Sequence, residues 1–382
     1  MLFFIYYFIF SVNLLFSFTR KKSWLIVAIS WVFLFFLFVS NDASGHDHYL
    51  YKIGFEHPEE DLNFEFLYTG FQDLVRYIGV SDYNIFLSFL FLLCSILQFY
   101  GFKFFSISLH PIISLYLVFI FPQWAAAIRF FLAVSIALFS FQFLIKGNWL
   151  IYLVLSICAI TVHYSLVILL LVFPFFIPTF LYNMDKLNFN FDFLSFFMFF
   201  VIFLTLFVFF FAEDVIYRLA YTTMGLFIGN EALSDIDNKV SAYFETKTKL
   251  GFIMFVLIYG ANLYASLKIK KLFIIKETID VRINRVIYGN VIINKILAIS
   301  VPLVVINLVF GRLMAIGTIF NLITIGSVVK TKRKLLHKEK VVLLNCFVAF
   351  LLSWAVPAVF EINSISPHNL IETAIQYWNW GV

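Results

Sequence analysis

Residues 84–100 read NIFLSFLFLLCSILQFY, a stretch without one charged side chain. Backbone crossing the hydrocarbon of a bilayer must satisfy its own N–H and C=O groups. An α-helix does so with about 20 apolar residues, in a range of about 17–25. Working outward, the same template predicts helices at 1–18, 24–40, 105–121, 125–145, 149–162, 164–182, 192–211, 249–267, 289–308, 312–329 and 341–360. Composition agrees: 63% of the 382 residues are hydrophobic and 13% are charged, against about 45–50% and about 25% in soluble chains. The expected fold is all-α, a polytopic transmembrane bundle of about twelve helices forming one integral membrane domain over residues 1–382.

The 54 Phe residues form no repeat and read as lipid-facing filler. Cys94, Cys158 and Cys346 each sit inside an apolar run, so no disulfide framework is indicated, and no CxxC pair offers thiolates to a metal. The first apolar run precedes Arg20-Lys21-Lys22. A cleavable signal has the reverse order, positive charge before the apolar core, so this run reads as a spanning helix.

Lys and Arg retained in short cytoplasmic loops orient the bundle. With the N-terminus outside, 18 of the 27 basic residues fall on cytoplasmic segments, twelve of them in the loops 268–288 and 330–340. The external segments 41–83, 212–248 and 361–382 hold 17 of the 22 acidic residues. The net charge of +5 therefore reflects topological anchors facing anionic headgroups, not a nucleic-acid surface. Within 41–83, Pro58 and the acids Glu59-Glu60-Asp61 resemble a helix start. Leu62, Phe66, Leu67, Phe71, Leu74, Val75 and Ile78 then recur at helical spacing until Gly79. An external amphipathic helix at the membrane interface is expected there.

Ionisable residues in apolar surroundings are functional candidates by default. Arg129 follows Pro122 in FPQWAAAIRF, His163 lies between two apolar runs in ITVHYSL, and Arg312 lies in LVFGRL. The charge-derived topology gathers all three on the external face, with Asp47 and His48 of the first loop. Each has a plainer reading: an arginine that snorkels to headgroups, or a histidine satisfied inside the core. Lys295, within the tenth segment, reads as a structural pairing or a snorkel. His46-Asp47-His48 lacks a third ligand on the same element, so no metal site is assigned. Glu65 borders the apolar face of the loop helix and reads as a solvated carboxylate.

Guanidinium offers phosphate a planar fork that stays charged, and donors held in a partly dry cleft stabilise charge developing on a departing diphosphate. Histidine, with an unperturbed pKa of about 6.5, suits acceptance of a hydroxyl proton. Asp47, His48, Tyr49, Tyr51 and Glu65 of the first loop supply groups that orient sugar hydroxyls. From the residues alone, a transporter of an anionic substrate places arginines similarly.

The stretch from Ile128 to Leu169 resembles the EpsG-like, Wzy-type polysaccharide polymerases. The resemblance rests on Ile128-Arg129 and Ala133, and on His163-Tyr164-Ser165 just before another helix. Asp47-His48-Tyr49-Leu50-Tyr51 is similar to the family's Asp/Tyr-rich first external loop, and Gly311-Arg312-Leu313 to its late Arg-Leu element. Two departures fall late in the chain. Ala315-Ile316-Gly317 stands where the family has a tyrosine, and the tail around Gln376-Tyr377-Trp378 lacks a Pro-Tyr ending.

The resemblance implies transfer of a growing glycan from polyprenyl diphosphate to a newly arrived lipid-linked repeat, outside the bacterial cytoplasmic membrane. His163, Arg129 and Arg312 are then catalytic. The partners implied are the lipid-linked oligosaccharide, membrane lipids and a chain-length regulator protein. No nucleotide sugar, ATP or redox cofactor is implied, and no GxxxxGK[ST] or GxGxxG run occurs. A flippase or an O-antigen ligase would handle the same lipid-linked units. A membrane acyltransferase with a cytosolic donor would not place His163 outside.

The orientation is testable by impermeant thiol labelling of intact cells. Single cysteines replacing Ser81, Ser234 and Ser364 should react, whereas reaction at Ser327→Cys or Thr331→Cys instead would invert the topology.

Overall fold

The computed structural model describes residues 2–18, 23–40, 46–59, 64–104, 109–116, 121, 127–172, 249–273, 281–299, 313–331 and 341. These form α1 (Leu2–Phe18), α2 (Trp24–Val39), α3 (His46–Glu56), α4 (Phe66–Tyr77), α5 (Tyr83–Phe104), α6 (Leu109–Leu115), α7 (Ile128–Lys146) and α8 (Trp149–Val162). A 3-10 helix (Tyr164–Leu171), α9 (Lys249–Phe273), α10 (Val281–Ile299) and α11 (Met314–Thr331) follow. No strand occurs among the described residues, and the protein is an all-α polytopic membrane protein. α5 and α7 are long and apolar enough to cross a membrane, and α2, α8 and parts of α1 and α11 are shorter apolar helices. The expected segment 192–211, and 341–360 beyond Val341, lie outside the described residues. The described helices divide into two compact units, α1 to α8 in one, and α9, α10 and the first part of α11 in the other.

In the first unit α7 is the central helix. It packs along both α5 and α8, and 78% of its apolar window is covered by protein against 44% for α5. That coverage follows from its composition. Small residues Ala133, Ser135, Ala137 and Ser140, all buried, admit neighbours on every side. α7 ends at Gly147, whose φ of 87° only glycine adopts without strain. The Gly147 and Asn148 amides return to the carbonyls of Leu144 and Phe143 at 3.1 and 2.9 Å, closing the last turn. α8 starts at the next residue, so α7 and α8 form a tight antiparallel hairpin. Its far end brings Phe130 against His163.

The first loop differs from its expected form. Residues 46–56 are helical where loop was expected, and the amphipathic helix starts at Phe66 instead of at Pro58. Pro58 follows the end of α3, where the His57 amide still bonds to the Ile53 carbonyl at 2.7 Å. A proline soon after a helix stop is as favourable as one at a helix start, so the same residues fit the end of α3. Arg76 ties the two helices together. Its Nη1 donates to the carbonyls of Gly54 and Phe55 at 3.0 and 2.9 Å, at the electronegative end of α3. α4 buries Tyr68, Gln72 and Val75 on one face and packs on α8. Asp82 caps α5 by accepting from the amides of Asn84 and Ile85 at 2.7 and 3.1 Å.

In the second unit the basic segment after α9 is shorter than expected. The helix runs on to Phe273, and Lys268 and Lys270 lie over the rings of Tyr264 and Tyr288 at 5.2 and 5.3 Å. α9, α10 and α11 share buried carboxamides. Asn321 Nδ2 donates to the Asn262 carbonyl at 3.0 Å, Asn290 Nδ2 donates to Asn321 Oδ1 at 2.9 Å, and Thr318 donates to Asn262 Oδ1 at 3.1 Å. Gly317 leaves the room: a Cβ there would stand 2.6 Å from Asn294 Oδ1. Lys295 is buried on α10 and does not snorkel.

Asn321→Ala removes the shared partner of Asn290 and Asn262. It should lower stability by about 1–2 kcal/mol, read as a lower thermal unfolding midpoint of the purified protein in mild detergent. An unchanged midpoint would show that the three helices are held by packing alone.

Candidate functional site

The site forms where α7 begins. Arg129 is the second residue of that helix, at its electropositive end, where a cation is disfavoured. The compensation comes from the residue immediately before α4: Glu65 pairs through Oε2 with Arg129 Nη1. From α3, the Tyr51 hydroxyl accepts from Arg129 Nε at 3.2 Å. The guanidinium carbon lies 5.1 Å from the Tyr51 ring centre and 5.0 Å from that of Phe64, so two aromatic faces flank the cation. Tyr68 closes the group, 5.9 and 5.8 Å from the Tyr51 and Phe64 rings. Burial pushes the Tyr68 phenol well above its ordinary range, with the neighbouring Tyr51 adding to the shift, and it stays neutral.

Exposure separates the members of the ion pair. The Arg129 side chain retains 23% of its accessible surface and Glu65 only 9%, so the guanidinium is approached from its own open side and not past the carboxylate. Glu65 is therefore not the solvated residue expected from its place beside an apolar helix face. Its carboxylate is drawn in because a cation on an apolar helix needs a counter-charge more than the carboxylate needs water. Among the described residues Arg129 Nη2 donates to none, and the side chain is partly exposed.

His163 stands at the same end of the α7–α8 hairpin. It terminates α8 in an extended conformation, and its ring meets Phe130 edge-on at 5.3 Å. The Ser165 hydroxyl lies 2.8 Å from His163 Nδ1, and the His163 carbonyl accepts from the Leu166 amide at 3.1 Å. The His-x-Ser spacing thus has a local cause. Histidine leaves the helix, the chain turns into a 3-10 helix, and the serine two residues on returns to the ring. A hydrogen bond at one ring nitrogen selects the role of the other.

Of the residues singled out in the sequence, Arg129, Glu65 and Tyr51 come together, and His163 meets Phe130, the residue after Arg129. Tyr49 is exposed on α3 and apart from the pair. Asp47 and His48 lie on α3, but their side chains, like all of Arg312, fall outside the described residues. Phe64, Tyr68 and Ser165 also build the site. Their signal was the aromatic spacing around Glu65 and the serine two residues after His163.

Helices carrying a half-buried cation, its counter-ion and a histidine at one hairpin end define a polytopic helical membrane protein with a polar site between its helices. The chain belongs to the EpsG family, which it matches over residues 24–370, and membership points to a polysaccharide-polymerase kind of function. No curated protein and no solved structure matches the chain.

Arg129→Lys keeps a charge beside Glu65 but loses the Nε bond to Tyr51 and the planar contact with two rings. The variant should insert normally and unfold earlier, losing about 1–2 kcal/mol. A melting profile identical to that of the natural protein would mean that Tyr51 and Phe64 do not hold the cation.

Proposed function

We propose that the protein is a glycosyltransferase that polymerises lipid-linked oligosaccharide repeats, passing the growing glycan from polyprenyl diphosphate to a new lipid-linked repeat. The observation that supports this best is the partly exposed Arg129 fork at the same hairpin end as His163, in a chain of the EpsG family. Guanidinium matches diphosphate oxygens in geometry and charge. Tyr51 fixes its plane, so little reorganisation is needed as charge develops on the leaving group.

In the reaction the acceptor hydroxyl oxygen bonds to the anomeric carbon of the growing chain. The bond from that carbon to diphosphate breaks, and its electron pair leaves on diphosphate, held by Arg129. The hydroxyl proton passes to the His163 ring, whose Nδ1 accepts from the Ser165 amide at 3.4 Å and lies 2.8 Å from Ser165 Oγ, so that Ser165 holds the ring in place. Arg312 is proposed as a second diphosphate ligand, Asp47, His48 and Tyr49 as groups facing the sugar, and the buried Tyr51 as acting on substrate through Arg129. The external side is favoured because Lys146, a cytoplasmic anchor by the basic-residue bias, sits at the other end of the same hairpin from Arg129 and His163.

His163→Gln should leave an inserted protein that accumulates single repeats, with elongation of purified lipid-linked repeat reduced about 10²–10⁴-fold. Ser165→Ala should fall between that variant and the natural protein. Near-normal elongation by His163→Gln would remove histidine from the proton transfer.

A further inference from the structure

We propose that Glu65 is the group that releases the spent lipid diphosphate from Arg129, a reading that rests on the polymerase reaction above. The reason lies in the charges of the two lipid diphosphates. The donor is esterified at both ends, by lipid and by glycan. Once the glycan has left, its terminal phosphate is a monoester whose second ionisation lies near pH 6, so the product carries roughly one more negative charge near neutrality. An arginine without a counter-charge holds the product more tightly than the substrate and becomes trapped by it.

Glu65 supplies the counterweight. It already occupies Arg129 Nη1, and it is tethered. Its backbone carbonyl accepts from the Tyr68 and Thr69 amides at 3.0 and 3.1 Å, which anchors it at the head of α4. A tethered carboxylate competes at a high effective concentration that no free anion matches. Meanwhile the Tyr51 hydroxyl on Nε and the flanking Tyr51 and Phe64 rings keep the guanidinium plane in place, whichever anion sits on the Nη atoms. Diphosphate arrives at the open side of Arg129 while Glu65 stays on Nη1 and competes for the guanidinium charge. After transfer, that competition weakens the hold on the product, which leaves. No covalent bond to Glu65 is made or broken. Glu65 acts through Arg129 and is a positioning residue.

The test uses the full chain purified into lipid nanodiscs, with sugar-free polyprenyl diphosphate as the probe and elongation of lipid-linked repeat as the readout. Glu65→Gln keeps size and a hydrogen-bond acceptor but loses the competing charge. Its inhibition constant for polyprenyl diphosphate should fall by about 10-fold or more, the effect of one close charge pair. Multiple-turnover kcat should fall with it, and by more than the rate of the first turnover. Glu65→Asp, whose carboxylate is drawn back by one methylene, should lie in between. Unchanged or weaker inhibition of Glu65→Gln overturns the proposal. If that variant does not reach the membrane, Glu65→Asp decides on the same terms, tighter inhibition supporting release by Glu65 and equal or weaker inhibition overturning it. A natural protein that neither elongates repeats nor binds polyprenyl diphosphate would overturn the polymerase reading, and the role of Glu65 with it. Elongation and binding by the natural protein with no change in Glu65→Gln would overturn the Glu65 role alone.

Discussion

An arginine on the second residue of an apolar helix cannot stand alone, and the pairing of Arg129 with Glu65 is the contact on which the first unit depends. Removing Glu65 leaves the half-buried guanidinium without its counter-charge, which costs more than the loss of a fully exposed ion pair. Glu65 sits immediately before α4, so meeting this demand also fixes where α4 begins. Tyr51 adds the same constraint from α3, and Arg76 secures α3 to α4 at their other ends. Two short helices that could not persist alone are thereby held over the mouth of α7.

The α7–α8 hairpin turns a local event into a functional arrangement. A left-handed glycine at its turn sets the two helices antiparallel, so the start of α7 and the end of α8 share one end of the hairpin. Arg129 and His163 are 34 positions apart in the chain and are brought to that end by this turn. The opposite end carries Lys146, whose ammonium lies 4.7 Å from the Phe104 ring centre. One hairpin therefore carries Lys146 at one end and Arg129 with His163 at the other.

The second unit meets the same difficulty with neutral groups. Asn262, Asn290, Asn294 and Asn321 are all buried, and most of their polar atoms are spent on one another, on Thr318 or on backbone carbonyls. Carboxamides exchange hydrogen bonds between helices without the desolvation cost of ions. The first unit instead offsets its cation with a counter-charge. The neutral cluster suits a scaffold.

The all-α character of the chain, the positions of α2, α7 and α8, and the candidacy of Arg129 and His163 were determined by the sequence itself. Hydropathy and helical periodicity are local, and α8 spans the same residues, 149–162, that its apolar run predicts. A charge inside an apolar run is visible without a structure because its cost is local too. The partner that offsets that cost is not. Glu65 lies 64 positions from Arg129, next to an apolar helix face that reads equally well as solvated. The helix at 46–56 was hidden because its polar residues carry no strong period, and its burial of Tyr51 and Phe55 depends on α4, α5 and Arg129 being in place. Only tertiary packing decided which carboxylate would face the arginine, since the free energy that draws Glu65 inward belongs to the pair and not to either residue alone.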